Sequence, residues 1–158
     1  MQTFTSFTCA SLRKRGTRYA ANLLNKYLKD YHNTKYCLKI DIKKFYPNID
    51  RNILKKMLRR KIKDKDVLWL LDTIIDSMDN INVANVKVPE EFKEIYFQPG
   101  KGIPIGSYLS QYFANFYLSY FDHWLKEELK CKYVVRYMDD IIILDSSKEF
   151  LHQVKDKI

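Results

Sequence analysis

Two adjacent aspartates, Asp139 and Asp140, interrupt an apolar segment (YVVRYMDDIIILD, 133–145) of the kind that forms buried strands. A β-turn is one explanation, because aspartate tolerates turn geometry and caps neighbouring amides. A third aspartate, Asp41, lies on a second strand-like segment, on the side opposite its apolar row. Carboxylates gathered near a buried sheet repel each other and lose hydration unless a cation neutralises them. The three aspartates therefore indicate a metal site.

The ligand type and the charge distribution indicate which chemistry such a site would perform. Oxygen-only ligands suit Mg²⁺, and two such ions about 3.5–4 Å apart form the clamp used in in-line phosphoryl transfer. Residues 1–65 contain 18 basic and 4 acidic side chains, whereas residues 66–158 contain 10 and 15. This basic half favours nucleic acid over a membrane as partner, with a solvated cationic surface as the alternative. A magnesium-dependent enzyme acting on nucleic acid is predicted, and nuclease and polymerase are not separated.

The first half of the chain must position Asp41. Helical spacing of apolar residues predicts a helix over 17–31, and alternation predicts a strand over 35–42 (KYCLKIDI). Pro47 is expected to end this strand, and Asp50 to cap a helix reaching Ile62. A further helix is predicted over 65–78. Residues 80–98 are predicted to be irregular, with a hairpin as one option.

The second half must position Asp139 and Asp140. Segment 98–106 (QPGKGIPIG) holds three of the four glycines and predicts a loop. A long helix is expected over 107–129, followed by strands at 133–137 and 141–144 that meet at the aspartates. SSKE (146–149) is interpreted as a capping box that opens a final helix. This order predicts an α+β domain, a small antiparallel sheet with helices packed on one face.

Targeting and redox signals point to the cytoplasm. Cys9, Cys37 and Cys131 show no CxxC spacing, which favours reduced thiols over a disulfide or zinc framework. Apolar runs fall short of the roughly 18 residues of a membrane span, and the first residues lack the pattern of a signal peptide. We therefore expect a cytoplasmic protein with no membrane partner.

Three motifs resemble the reverse transcriptase family. KIDIKKFYPNID (39–50) is similar to its first catalytic motif and RYMDDIIIL (136–144) to its second. GKGIPIGSYLSQYFANFYL (100–118) is similar to the loop and helix beneath the incoming nucleotide and template base. The resemblance implies a right-hand polymerase fold in which residues 1–158 form one domain, the palm with part of the fingers. The family's N-terminal finger strands and C-terminal thumb are not recognisable, so we expect a fragment whose own activity is in doubt.

The resemblance also implies a set of site residues. The catalytic and metal-binding residues, for two Mg²⁺ ions or Mn²⁺ as a substitute, are Asp41, Ile42, Asp139 and Asp140. Residues at the incoming nucleotide are Phe45, Tyr46, Ile105, Gly106 and Gln111. Residues contacting nucleic acid are Arg13, Lys14, Arg15, Lys101 and Tyr137. Tyr46, five positions after Asp41, matches the aromatic that excludes a ribose 2′-hydroxyl. The alternatives are a core aromatic at 46, a helix-start glycine at 106, a surface glutamine at 111 and solvated basic loops.

One motif resembles a particular subfamily. IGSYLSQ (105–111) is similar to the reverse transcriptases of diversity-generating retroelements, which are bacterial or phage-encoded. Many relatives carry Gln where Ile105 stands, and an aliphatic side chain loses a polar contact that helps selectivity. Error-prone copying is therefore predicted. The implied partners are an RNA template, a DNA or RNA primer, deoxynucleoside triphosphates and a small helical accessory protein.

Other functions stay open on the sequence. Within the family, a group II intron-type maturase and a phage-defence reverse transcriptase are alternatives. Outside it, the alternative is a catalytically silent nucleic-acid-binding remnant, because stacking and phosphate contacts suffice for binding. Clustered aspartates argue against that remnant, since negative charge near a phosphate backbone opposes binding.

Overall fold

The computed structural model describes residues 3–80, 86–87, 89–104 and 106–158. Its helices and strands, in chain order, are α1 (Thr17–Leu28), β1 (Tyr36–Asp41), α2 (Phe45–Asn48), α3 (Arg51–Lys61), α4 (Lys65–Asp76), α5 (Glu90–Tyr96), α6 (Tyr108–Tyr117), α7 (Ser119–Glu127), β2 (Tyr133–Tyr137), β3 (Asp140–Asp145) and α8 (Lys148–Lys157). A 3₁₀ turn, Ser77–Asn80, follows α4. The predicted mixture of helices with a few strands is confirmed.

The chain forms two compact units. The sheet unit comprises Met1–Lys43 and Leu118–Ile158, and the helical unit comprises Lys44–Tyr117. All three strands and helices α1, α7 and α8 belong to the sheet unit, whereas α2 to α6 belong to the helical unit. The assignment of residues 1–158 to a single domain stays a prediction.

The sheet is antiparallel, with strand order β1-β3-β2. Leu38 of β1 and Val134 of β2 both lie opposite Ile143 of β3. Ile40 lies opposite Ile141 one step along the same face. Because side chains alternate between faces along a strand, this register places the apolar row of each strand on one face, as the sequence pattern predicts.

That apolar face carries the core of the sheet unit. Ile141, Ile143 and Val134 are buried in a cluster with Leu125 of α7 and Leu151 of α8. The opposite face is covered in part by α1, where the rings of Tyr27 and Tyr133 meet edge to face with centroids 5.3 Å apart. Helices therefore lie against both faces rather than one, because β2 and β3 carry apolar residues such as Val135 and Ile142 on the second face as well.

The first predicted helix is shorter than its apolar pattern. Helix α1 ends at Leu28 instead of residue 31. A local turn replaces the last turn of helix: the Asn33 amide donates to the Asp30 carboxylate at 3.0 Å, and the Thr34 hydroxyl donates to the Asp30 carbonyl at 2.9 Å. Side-chain bonds of this kind compete with helical ones, so the polar residues end the helix early.

In the helical unit, two aspartates cap helices. The Asp50 carboxylate accepts the Ile53 amide at 2.9 Å at the start of α3, which confirms the predicted cap. The Asp64 carboxylate accepts the amides of Asp66 and Val67, both at 3.0 Å, at the start of α4. The Lys55 ammonium binds the Asp76 carboxylate at 2.5 Å and thus ties α3 to α4.

Two expectations for this unit need correction. Pro47 lies inside the helical turn α2, beyond the end of β1 at Asp41, because proline fits the first turn of a helix. Residues 90–96 form helix α5 and not a hairpin; Pro89 precedes it and two glutamates open it. Residues 81–85 and 88 lie outside the described residues.

The long helix expected over 107–129 is two helices, α6 and α7. Leu118 separates them, with φ −82° and ψ −2°. No glycine or proline marks the break. Ser119 and Asp122 of the first turn of α7 are buried, and a buried serine and aspartate require polar partners.

The final helix begins one residue later than SSKE suggests. Ser147, not Ser146, is the cap residue, and its hydroxyl accepts the Phe150 amide at 3.0 Å. The Glu149 carboxylate accepts a hydrogen bond from the Ser147 hydroxyl at 3.1 Å. In the part of the chain that the structure describes, no helix is both long and apolar enough to cross a membrane.

All three cysteines are free thiols, in agreement with their spacing. Burial raises the pKa of Cys9 to about 11 and that of Cys131 to about 11, so both thiols stay protonated near neutral pH. Cys37 is exposed on β1.

Candidate active site

Strand register brings two of the three aspartates face to face. Asp41, the last residue of β1, lies directly opposite Asp140, the first residue of β3. Directly opposed Cβ atoms in an antiparallel pair are about 4.5–5.5 Å apart, and like charges at such a position destabilise the sheet. The chain thus holds two carboxylates together at a position where a cation would relieve their repulsion.

The third aspartate lies one residue away, in the turn between β2 and β3. Met138 adopts a left-handed conformation with φ 56°, and Asp139 follows it. The Asp139 carbonyl accepts the Ile42 amide at 3.4 Å, which ties the turn to the end of β1. The structure therefore places Asp41 opposite Asp140 and Ile42 beside Asp139, and these are the four residues that the family resemblance assigns to a metal site.

Tyr137 and Lys39 lie beside these carboxylates. Tyr137, predicted to contact nucleic acid, is paired with Asp140 across β2 and β3 and is 38% exposed. The Lys39 ammonium lies 3.6 Å from the Asp140 carboxylate, with 70% and 54% of the two side chains exposed. An ion pair so open to water is weak, and it leaves Asp140 able to exchange this lysine for another cation.

The acidic side chains at this position can be compared with the ligands that metal ions prefer. Among the described residues, no three His, Cys, Asp or Glu side chains are grouped so as to hold an ion. Asp41 and Asp140 nevertheless fit Mg²⁺, which takes one or two carboxylates and completes its shell with water and substrate phosphates. The chemistry of these two exposed carboxylates therefore fits Mg²⁺.

Phe45 and Tyr46, predicted at the nucleotide, lie in the helical unit. Lys44, with φ 53°, precedes the turn α2 that carries them. Phe45 is buried, with its ring centroid 6.4 Å from that of Tyr117, so it can offer a ligand only its backbone. Tyr46 is half-buried, and its ring meets that of Phe45 edge to face.

The glycine-rich loop packs against this turn. The Gly102 amide donates to the Ile49 carbonyl at 2.9 Å, and the Arg51 amide donates to the Gly100 carbonyl at 3.1 Å. A Cβ at Gly102 would make only an ordinary contact with the Pro47 backbone, at 3.5 Å. The backbone conformation, with φ 78°, is what favours glycine at 102. Lys101, in the same loop, is exposed and pairs with Asp50 in an isolated β-bridge.

Of the other residues predicted at the nucleotide, Gly106 precedes α6 and Gln111 lies within it. Ile105 lies outside the described residues. Gly106 has φ 103°, a conformation that favours glycine. Gln111 is exposed on α6, whereas its neighbour Ser110 is fully buried and donates its amide to the Ser107 hydroxyl at 3.0 Å.

The predicted basic segment 13–15 divides into two kinds of side chain. Arg13 and Lys14 are exposed, with Lys14 at φ 63°. Arg15 is half-buried and donates to the carbonyls of Thr5 at 2.5 Å and Thr8 at 3.2 Å. Arg15 therefore stabilises the local backbone through these hydrogen bonds. Contact with nucleic acid stays a prediction for Arg13, Lys14 and Arg15.

A fully buried ion pair lies behind the turn and was not predicted from the sequence. Arg136 and Asp122 are both 0% exposed, with the Arg136 Nε 2.6 Å and its second nitrogen 2.7 Å from the Asp122 oxygens. The Thr8 hydroxyl donates to Asp122 at 2.7 Å. Two signals were present: Arg136 is a charge on the apolar row of β2, and Asp122 shares a helical face with Leu118 and Leu125.

Comparison with known proteins identifies the class and then the family. Among solved structures, the chain is similar to apo telomerase from Candida tropicalis truncated from its C-terminal domain, with a TM-score of 0.55 and 20% identity. The match covers 87% of this chain and 29% of that one, and at this identity it shows the fold alone. The fold is thus a partial polymerase palm and fingers.

The family is shown by a match between the chain and a model of that family's sequences. Residues 2–158 match the family described as reverse transcriptase (RNA-dependent DNA polymerase). The chain belongs to the reverse transcriptase family, a family of nucleotidyltransferases, as its motifs predict. No curated protein sequence matches the chain.

Proposed function

We propose that this protein is an RNA-directed DNA polymerase whose catalytic carboxylates are Asp41, Asp139 and Asp140. The observation that carries the proposal is the register of β1 on β3, which sets Asp41 opposite Asp140 in a chain of the reverse transcriptase family. In the reaction, the primer 3′-hydroxyl oxygen bonds to the α-phosphorus of a deoxynucleoside triphosphate. The bond from that phosphorus to the oxygen that bridges to the β-phosphate breaks, pyrophosphate leaves with that oxygen, and the proton of the 3′-hydroxyl passes to solvent.

Metal ions belong to this proposal. When bound, two Mg²⁺ ions, or Mn²⁺ in their place, would neutralise the charge on the attacking and leaving oxygens. The three carboxylates and the Ile42 carbonyl are the groups that would hold them. The mutual repulsion of Asp41 and Asp140 supports this assignment, because it makes the site attractive to cations before substrate arrives.

The substrate contacts are proposed from the family resemblance and the exposure of each residue. Tyr46 would restrict the sugar to a deoxyribose, and Gly106, with Gln111, would line the nucleotide and template base. Backbone groups of Phe45 suit the triphosphate or the sugar, because its ring is buried. Exposed basic side chains can contact nucleic-acid phosphates without sequence specificity. This is the role proposed for Arg13, Lys14 and Lys101.

The subfamily and the partners are also part of the proposal. Similarity of segment 105–111 to diversity-generating retroelement enzymes supports error-prone copying of an RNA template from a DNA or RNA primer. A small helical accessory protein would complete such a system in the cytoplasm of a bacterium. The competing hypotheses are an intron maturase, a phage-defence reverse transcriptase and a catalytically silent nucleic-acid-binding protein.

The test is primer extension on an RNA template with deoxynucleoside triphosphates and Mg²⁺. Any extension by the wild-type protein is expected to depend on Mg²⁺ and to stop when a chelator is added. Asp41→Asn removes one carboxylate charge at nearly constant volume, so its extension rate is expected to fall at least about 100-fold, on the scale of other electrostatic losses in active sites.

Asp156→Asn is the matched control, since Asp156 is exposed on α8 and is not one of the three carboxylates. Extension that survives in Asp41→Asn would contradict the proposal. RNA binding that is equal with Mg²⁺ and with chelator, without any extension, would favour the silent binding protein.

A further inference from the structure

The buried guanidinium of Arg136 reaches the turn that carries the aspartates. One of its terminal nitrogens donates to the Met138 carbonyl at 2.8 Å. That carbonyl belongs to the peptide bond that joins Met138 to Asp139. The position of the Asp139 backbone is thus tied directly to a side chain in the interior of the sheet unit.

The backbone of this turn is strained, so it needs a hydrogen bond of this kind to hold it. Met138 has φ 56°, and a residue with a side chain in this region is strained and persists only where its surroundings hold it. Asp139 follows immediately, and its carbonyl meets the Ile42 amide only at 3.4 Å, a long contact. The bond from Arg136, at 2.8 Å, is the shorter of these two restraints on the turn.

The guanidinium is itself fixed from several sides. Asp122 accepts two of its N–H groups at 2.6 and 2.7 Å, and Thr8 holds Asp122. The Arg136 backbone donates to the Phe7 carbonyl and accepts from the Cys9 amide, both at 2.9 Å. A planar guanidinium held this way has one orientation, and in that orientation its other terminal nitrogen points at the Met138 carbonyl.

We propose that Arg136 is a positioning residue of the active site: clamped by Asp122, it holds the Met138 carbonyl and thereby sets the turn that presents Asp139 and Asp140 opposite Asp41. This inference rests on the proposed metal site. It assigns to a buried ion pair a role in metal affinity that is separate from its role in stability.

The test measures Mn²⁺ binding to the protein by electron paramagnetic resonance, in which the signal of the free ion falls as it binds. Arg136→Lys keeps the positive charge beside Asp122, but one ammonium cannot replace the fork that spans both Asp122 and the Met138 carbonyl. We expect Mn²⁺ affinity to fall about tenfold, as for other residues that orient metal ligands.

Tyr133→Phe is the matched control, because it removes a different hydrogen bond from the same strand, the one to Asp30. It is expected to lower stability while Mn²⁺ affinity stays within about twofold of wild type. Unchanged affinity in Arg136→Lys, or an equal loss in Tyr133→Phe, would overturn the inference, since binding would then follow general stability.

Two further variants separate the possible failures. Asp139→Asn sets the baseline, and if wild type binds Mn²⁺ no better than this variant, the proposed metal site itself fails. If Arg136→Lys does not fold, the double variant Asp122→Leu with Arg136→Met carries the test, because an apolar pair often replaces a buried ion pair without loss of fold. The same tenfold loss is expected there, and wild-type affinity would overturn the inference.

Discussion

At the scale of single residues, the site consists of charges that the fold holds against their own repulsion. Asp41 and Asp140 face each other across two strands, and the only cation the structure records beside Asp140, within the described residues, is the exposed Lys39. An interior pair of opposite sign, Asp122 with Arg136, lies behind the turn. The exposed carboxylates suit an exchangeable cation, and the buried pair suits permanent positioning.

A residue-scale prediction concerns fidelity at position 105. Ile105→Gln restores a polar side chain where many relatives carry one, so more binding energy should separate right from wrong nucleotides. We expect misincorporation opposite template adenine to fall about tenfold, measured by single-nucleotide insertion kinetics. Ile105→Leu, which keeps an aliphatic side chain, is the control and should copy like wild type. Equal error rates in Ile105→Gln and wild type would remove the support for error-prone copying.

At the scale of elements, strands and capped helices position the site residues. Alternation and the apolar rows predicted β1, β2 and β3 to within about one residue, because side-chain period fixes which face is buried. The cap at Asp50 was also predictable, since an aspartate before an apolar helical pattern has few other local roles. The register that sets Asp41 opposite Asp140 could not be read from either strand alone, as it depends on pairing across about 100 residues of chain.

Other features of the fold could not be predicted from the sequence, for physical reasons. The break at Leu118 carries no glycine or proline, and it coincides with the boundary between the two compact units. Helix α1 stops early because a side-chain turn around Asp30 competes with the last helical turn. The Arg136–Asp122 pair joins a strand to a helix, so only the folded chain shows which charge meets which.

An element-scale prediction concerns α3. Asp50→Ala removes the acceptor for the Ile53 amide, and loss of such a cap lowers the free energy of unfolding by about 1 kcal/mol. Urea unfolding followed by circular dichroism measures the change. Asn52→Ala, two residues further on the exposed side of the same helix, is the control and should stay within about 0.5 kcal/mol of wild type. Equal losses in the two variants would show that the cap contributes nothing.

At the scale of the whole molecule, charge is distributed unevenly along the chain. Residues 1–65 carry 18 basic side chains against 4 acidic ones, and the carboxylate pair of β1 and β3 is embedded in this basic protein of net charge +9. A basic surface attracts the phosphate backbone of nucleic acid, and its contribution weakens as salt concentration rises. Nucleic-acid binding alone does not require paired carboxylates in a basic chain, and this supports the proposal that Asp41 and Asp140 are catalytic.

The most direct measurement is a calorimetric titration of Mg²⁺ into the protein with a deoxynucleoside triphosphate present, for wild type and for Asp139→Asn. The proposed site predicts saturable binding to wild type and binding at least about tenfold weaker to the variant, because one of three carboxylates is lost. Asp156→Asn should match wild type. Equal heats and equal affinity in wild type and Asp139→Asn would contradict the metal site and leave the paired aspartates as parts of a turn.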